Sequence, residues 1–419
     1  MSTKAAASNS NGRHVLLTGS TGFVGSYTLY ALLQRKEIKR VTCLNRSGGD
    51  QTNAWIQQFP NYEPTVKFKH LQADLTQPDF GLSADVYSEL LDSVTDILHC
   101  QWAVDFNRPL DYFEPNIKGV SSLIHFTHAA KHAIHFIFLS SVGTVRNWDQ
   151  PNAVPEERLT SPSIAGTGYG ASKLIASLLL DKVGQSVGIR SSICRLGQVA
   201  GPIQYLQKRK HSQHQKPELD HTRAWPLRDW FPTLLTSSID IGCLPDTLGF
   251  ANEIDWLPVD FVGEILSDLV CNLDLDASRC VDHSGHGHAG TDGFLTKYYH
   301  LVNPHRTQYS DMVQFLAGRL GRPDALKVVS LQEWVSLLTD LALGSSGIRS
   351  QSSGIGLLGF FQGLADSSYL NPLILDTRKT EQQLPRLVSL GSVSEHWLDM
   401  WLEQWGLMKT RGGKQMLED

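Results

Sequence analysis

No two of the six cysteines in this 419-residue chain stand as a Cys-x-x-Cys pair, which removes the usual zinc-ribbon and thioredoxin-like readings. Cys43, Cys100, Cys194, Cys243, Cys271 and Cys280 stand apart, several inside apolar runs, as buried free thiols do. No run of about eighteen apolar residues occurs. Residues 1–12, MSTKAAASNSNG, lack the apolar stretch of a secretory leader. A soluble, cytoplasmic protein with no membrane partner is expected. Charge of one sign is missing too: 37 Lys and Arg against 42 Asp and Glu leave a formal charge of −5. Nothing electrostatic therefore points to nucleic acid. No internal repeat is visible.

What is present suits a large folded core, with 41% hydrophobic and 19% charged residues. The length exceeds a comfortable single domain, so two lobes are expected. Short apolar strands read at His14–Thr18, Val41–Asn45, Lys67–Leu71, Thr95–Cys100 and His135–Leu139, with helical stretches at Tyr27–Gln34 and Tyr112–His132. Strands alternating with helices imply βαβ units and a parallel sheet. Past Gly201-Pro202 the pattern changes. A polar, basic loop follows, then an apolar helix at Trp225–Ser238, a strand or turn at Asp255–Asp260, a strand at Tyr298–Asn303, a Gly/Ser-rich loop at 344–356 and a mainly helical end. The expected fold is α/β: a Rossmann-type doubly wound parallel sheet with a smaller, mainly helical C-terminal substrate lobe. Its expected parts are a tail or linker over 1–12 and a nucleotide-binding domain over 13–202. Segments near 250–265 and 296–303 return to that domain, and 203–249 with 304–419 form the substrate lobe.

The strongest motif is Thr18-Gly19-Ser20-Thr21-Gly22-Phe23-Val24-Gly25, between a strand and a helix. Glycines let the backbone turn sharply and approach a pyrophosphate, and the helix start offers unpaired N–H groups. At the end of the second strand, Asn45-Arg46-Ser47 stands where an acidic residue would bind the ribose of NAD. A guanidinium there can pair with a 2′-phosphate, which favours NADPH; a solvated surface arginine is the plainer alternative. Tyr169-Gly170-Ala171-Ser172-Lys173 puts a phenol and an ammonium on one helix face. The cation is expected to lower the phenol pKa from about 10 and to hold the nicotinamide ribose. Ser140-Ser141 closes an apolar strand at the cofactor crevice, or merely caps it. His283, His286 and His288 sit in glycine-rich sequence without fixed geometry, so no metal is expected. Trp397, Trp401 and Trp405, four residues apart, read as a buried helix face, and Trp225 and Trp230 as core or acyl-pocket lining.

The Thr18, Gly19, Gly22 and Gly25 spacing resembles the TGxxGxxG of extended short-chain dehydrogenases. Over nearly the whole chain from residue 13, the sequence also resembles thioester reductase domains of nonribosomal peptide synthetases, polyketide synthases and carboxylic acid reductases. The resemblance rests on Ile97–Trp102, Asp105–Asn107, Arg195–Pro202, Trp256–Asp260 and His300–His305. Cys100-Gln101-Trp102 departs from the pattern, since many relatives have Asn after the strand. The resemblance implies Ser141, rather than Ser140, as the carbonyl-binding hydroxyl, Tyr169 as proton donor and Lys173 as their partner, with Asn116 completing a relay. It implies dinucleotide contacts from Gly19, Thr21, Gly22, Phe23, Val24 and Gly25, from Arg46, Asp74 and Leu75, and from Lys173, Leu196 and Gln198. It further implies NADPH-dependent release of an acyl, peptidyl or polyketide thioester from a phosphopantetheinylated carrier protein, giving an aldehyde or, after a second reduction, an alcohol. Lys208-Arg209-Lys210 would help dock the carrier, and the chain would be a monomeric excised domain of a larger synthetase. The rivals are a nucleotide-sugar epimerase or dehydratase, which prefers NAD, and an NADP-sensing regulator without turnover.

Overall fold

The computed structural model describes residues 12–48, 51–59, 67–204, 224–271, 296–320, 324–343, 353–366 and 373–408. The expected N-terminal tail, the Lys208-Arg209-Lys210 loop, His283, His286, His288, Cys280 and most of the Gly/Ser-rich stretch lie outside them. The chain divides into two compact units, one of Met1–Val199, Leu257–Val302 and Ile374–Ser389, the other of Ala200–Trp256, Asn303–Leu373 and Leu390–Asp419.

In the first unit the elements run β1 (Arg13–Thr18), α1 (Phe23–Leu33), β2 (Ile38–Asn45), α2 (Gln51–Gln58) and β3 (Lys67–Gln72), then α3 (Ala84–Ser93), β4 (Asp96–His99) and α4 (Glu114–Ala129). They continue with β5 (His135–Ser141), α5 (Gly168–Val187), β6 (Arg190–Leu196), α6 (Val259–Cys271) and β7 (Thr296–Leu301). Among the described residues the strands form one seven-stranded sheet in the order β7-β6-β5-β4-β1-β2-β3, with every pairing parallel. Its strands are nearly all buried, as parallel strands covered on both faces must be. Helix α1 packs on α6, and α4 on α5. The order reverses between β1 and β4, which opens a crevice at the carboxyl ends of the strands.

Two local features fix the parts of the site. Asp96, fully buried at the start of β4, accepts from Arg13 Nη1 at 3.0 and 3.1 Å and from Thr95 Oγ1 at 2.7 Å. Helix α5 starts at a Thr167 cap whose Oγ1 accepts from Gly170 N at 3.1 Å, and it stops at Gly188 in the left-handed region, φ 80°. Thr167→Ala should cost about 1 kcal/mol in denaturant unfolding; an unchanged midpoint would remove the cap from the account.

Ile374–Ser389 joins the first unit although it follows most of the second in sequence. Val154 bridges Leu375, and the Glu156 carboxylate accepts from the N–H groups of Lys379 and Thr380 at 2.6 and 2.9 Å. The second unit has helices at Trp230–Ile241, Tyr309–Leu320, Leu331–Ala342, Leu358–Ala365 and Glu395–Gln404. Its apolar helix begins at Trp230 and not at Trp225. Pro226 lacks an N–H to continue a ladder, and Asp229 holds the N-cap position, accepting from Trp225 Nε1 at 2.8 Å. Trp225 is itself core, packed on Phe231, Trp256 and Trp401. Trp397 and Trp401 lie on a buried helix face, and Trp405 just past it donates to Trp225 O at 2.8 Å.

All five described cysteines are free; Cys43, Cys194 and Cys243 are buried, whereas Cys100 and Cys271 are only half-buried. Among the described residues no helix is long and apolar enough to cross a membrane, and no cluster of metal-ligating side chains occurs.

Candidate active site

The glycine turn follows β1 at the crevice. Gly19 takes φ +75°, open to glycine at little cost, and a Cβ there would meet the backbone of Gln101 at 2.8 Å. Helix α1 then begins at Phe23. Gly22 provides no side-chain cap, and the first turn holds no acidic residue. Its leading N–H groups and positive dipole end are thus left for an anion, which fits a pyrophosphate. Two contacts brace the turn. Ser20 and Asn45 exchange side-chain hydrogen bonds at 2.9 and 3.2 Å, and Thr18 Oγ1 bonds His99 Nδ1 at 2.7 Å while accepting from Gln101 N at 3.2 Å.

Beside the turn lies a pocket of roughly 180 Å³ whose lining includes Arg46, Asp74, Leu75, His99, Gln101 and Asn116. Four residues that the sequence spread over seventy positions, Arg46, Asp74, Leu75 and Asn116, therefore meet. Arg46 is exposed, and its guanidinium has no hydrogen-bonded acceptor among the described residues. The Asp74 carboxylate is tied into its own turn, accepting from Thr76 N at 2.9 Å and Thr76 Oγ1 at 2.7 Å, which holds its pKa below the ordinary value. No hydrogen bond joins Asn116 to Tyr169 or Lys173.

Ser141 ends β5, paired in register with Leu196 at the end of β6. Gly143 N donates to Ser141 Oγ at 3.0 Å. The Ser141 hydroxyl and the Tyr169 ring, in the first turn of α5, both lie beside Gly143, where a Cβ would meet Ser141 Oγ at 3.3 Å and Tyr169 Cδ1 at 3.8 Å. Ser140 faces the other way, bonded to Ser177 at 3.1 Å. Gln198 lies two residues beyond Leu196, with its Nε2 donating to Val199 O at 2.8 Å.

One expectation is corrected. The phenol of Tyr169 is pushed up to about 12 by burial, which outweighs the lowering influence of the nearby Ser141 hydroxyl. Spacing puts both residues on one face, but the lysine stem carries its amine elsewhere. Nζ donates to Leu139 O at 2.5 Å and rests 4.2 Å from the Trp102 ring centroid and 4.8 Å from that of Phe138. Burial pulls its own pKa down to about 7. Tyr169 is instead flanked by aromatic edges, Phe106 at 5.0 Å and Phe113 at 6.0 Å.

Sequence reasoning quoted Trp102, His99, Ser20 and Phe106 within motifs but gave none of them a role at the site. Their common signal is position: Ser20 lies in the glycine turn, and the other three at or just beyond the carboxyl end of β4, where the strand order reverses.

A family model described as male sterility protein matches residues 17–266. Carboxylic acid reductase of Neurospora crassa is 30% identical over 405 residues, covering 94% of this chain and 35% of that protein. Adenylate-forming reductase Nps9 of Serpula lacrymans is 30% identical, covering 96% and 36%. Non-reducing polyketide synthase tazA of Aspergillus terreus is 30% identical, covering 93% and 14%. The chain thus spans about a third of the two reductases and a smaller share of the synthase. Among solved structures, the terminal R domain from the myxalamid PKS-NRPS biosynthetic pathway superposes with a TM-score of 0.71 at 22% identity, covering 95% of this chain and 92% of that one. The reductase (R) domain of a non-ribosomal peptide synthetase from Mycobacterium tuberculosis gives 0.68 at 19%, covering 96% and 94%. At these identities the likeness is one of fold.

Proposed function

The chain belongs to the male sterility protein family, and from that premise we propose that it is an NADPH-dependent reductase that releases a carrier-bound acyl, peptidyl or polyketide thioester as an aldehyde. The observation that carries this reading is the convergence of Ser141, at the carboxyl end of β5, and Tyr169 beside Gly143, with Lys173 one turn further along the helix that carries the tyrosine.

The turn from Gly19 to Gly25, with the N–H groups of Phe23 and Val24 and the hydroxyl of Thr21 at its edge, would hold the pyrophosphate. Asp74 and Leu75 would border the adenine, and Arg46 would pair with the 2′-phosphate. Leu196 and Gln198 would flank the nicotinamide end beside Ser141, and the Lys173 ammonium would hold its ribose. When bound, a reduced nicotinamide supplies a hydride to a carbonyl carbon.

Tyr169, protonated across the neutral range, donates its proton to the carbonyl oxygen as negative charge gathers there. Ser141 hydrogen-bonds the same oxygen, its own lone pair already occupied by Gly143 N–H. The product on the substrate is a thiohemiacetal. Its collapse breaks the C–S bond, leaves an aldehyde and returns a proton to the carrier thiol. Reduction of that aldehyde gives an alcohol.

The test is incubation with NADPH and a set of acyl-pantetheine thioesters, with mass analysis of the products. Aldehyde and free thiol in equal amounts are expected. Stoichiometric dinucleotide binding without turnover across the set would instead make the chain a sensor. The choice of NADPH has its own check. Arg46→Glu should raise the KM for NADPH by roughly tenfold, through loss of a charge-assisted pair, and should leave that for NADH much less affected. Equal changes in both would detach Arg46 from the 2′-phosphate.

A further inference from the structure

The Lys173 amine is almost fully buried, yet Leu139 O is its one hydrogen-bond acceptor among the described residues. The titratable groups nearby are His99 and Cys100, at and just past the end of β4, and Tyr169, one turn earlier on its own helix; Phe138 and Leu139 on β5 carry no charge. None of the three titratable groups is an anion at neutral pH. Burial keeps His99 neutral, at about 3, and holds the Cys100 thiol and the Tyr169 phenol protonated, each near 12. What remains to balance a cation is the negative face of the Trp102 and Phe138 rings, at 4.2 and 4.8 Å.

Trp102 is itself fixed. Its Nε1 donates to Ser172 Oγ at 3.2 Å, Ser172 Oγ donates to Tyr169 O at 2.7 Å, and its ring lies against Phe138 at 5.5 Å and His99 at 6.1 Å. The same indole thus touches the lysine and the turn of helix that carries the tyrosine. Asn116, the residue expected to complete a relay, lines the pocket with Arg46 and Asp74.

We propose that Trp102 is a positioning residue that holds the Lys173 ammonium in place through the face of its indole ring, where a polar side chain would otherwise be needed. The proposal rests on the reductase reading, in which that ammonium grips the dinucleotide. The sign follows directly: a ring face favours the charged amine, so removing it lets the amine lose its proton at lower pH, and the grip fails earlier as pH rises.

The experiment is calorimetric binding of NADPH to the whole chain between about pH 6 and pH 9, for wild type, Trp102→Leu and Trp102→Phe. Wild-type affinity should fall as the pH rises. Trp102→Leu should move that fall about one unit lower, weakening binding about tenfold on the steep part of the curve. Trp102→Phe, which keeps a ring but loses the Ser172 bond, should restore most of it. A fluorinated tryptophan placed at position 102 keeps shape and hydrogen bond while draining the ring face, so it serves even if Trp102→Leu does not fold; its curve should move the same way. Curves that differ only by a pH-independent factor, or an unmoved curve for the fluorinated ring, would reduce Trp102 to packing. Wild type that binds no dinucleotide at any pH would sink the reductase reading and this proposal with it.

Discussion

Under the proposed reductase function, Tyr169→Phe is expected to lower turnover of an acyl thioester by about three orders of magnitude and to leave NADPH affinity near that of wild type. The substitution removes one oxygen and keeps the ring between Phe106 and Phe113, so the packing around it survives. What would be lost is the proton for the carbonyl oxygen. The raised phenol pKa, about 12, also assigns the pH profile. Tyr169 stays protonated through the neutral range, so a decline with rising pH cannot be its ionisation. Lys173, lowered to about 7, is the group that loses its charge in that window, and the loss should be read in the KM for NADPH more than in kcat. Steady-state rates by NADPH absorbance, with direct binding in parallel, separate the two. A Tyr169→Phe protein that keeps even a tenth of wild-type kcat would take the proton donor elsewhere; loss of binding and turnover together, with a lowered melting temperature, would signal misfolding.

The nucleotide-binding half is legible because local and tertiary demands agree there. Strands β1, β2, β4 and β5 are apolar runs ending at turn residues, and the glycine turn stands between a strand and a helix. Even so, α1 begins at Phe23 and not near Tyr27, since the turn glycine itself serves as the cap position. Strand β6 carries no such pattern. Ser191, Ser192 and Arg195 are buried, and each is satisfied by a partner remote in sequence: Thr296 at 2.9 Å, His135 at 2.9 Å and His300 at 2.9 Å. A strand whose polar side chains are paired only after folding reads as loop in one dimension. The same limit hid the return of Ile374–Ser389, which is anchored by the Glu156 carboxylate on helix N–H groups. At the site, spacing identified Tyr169 and Lys173 as neighbours on a helix but not where a four-carbon stem would end. The direction of the amine depends on Trp102, past the end of β4, and Phe138, on β5, and burial then sets both pKa values against the simple charge argument.

Gly25→Ala tests the other end of the crevice, and it should weaken NADPH binding about a hundredfold and lower stability by about 2 kcal/mol. A Cβ at this buried position would lie 2.0 Å from Gly19 O, 2.7 Å from Gly19 C and 3.0 Å from Ser20 Cα. All three are backbone atoms, so no side chain can swing aside. The turn cannot yield toward β4, because Gly19 is already against the Gln101 backbone, nor toward β2, because Ser20 is tied to Asn45. Helix α1 cannot easily withdraw either: it packs on α6, where Gly263 sits so near Tyr27 that a Cβ would meet Tyr27 O at 2.7 Å. The strain therefore has to open the glycine turn itself. Gly22→Ala is the internal control, since its nearest neighbour, Gly19 O, lies at 3.3 Å and the position is exposed. It should fold almost as wild type does and lose much less affinity. Calorimetric titration with NADPH and thermal unfolding decide the matter. If the two alanine variants bind and melt alike, the close approach of α1 to the turn is not what builds the pyrophosphate site, and the cradle must be sought among other backbone groups.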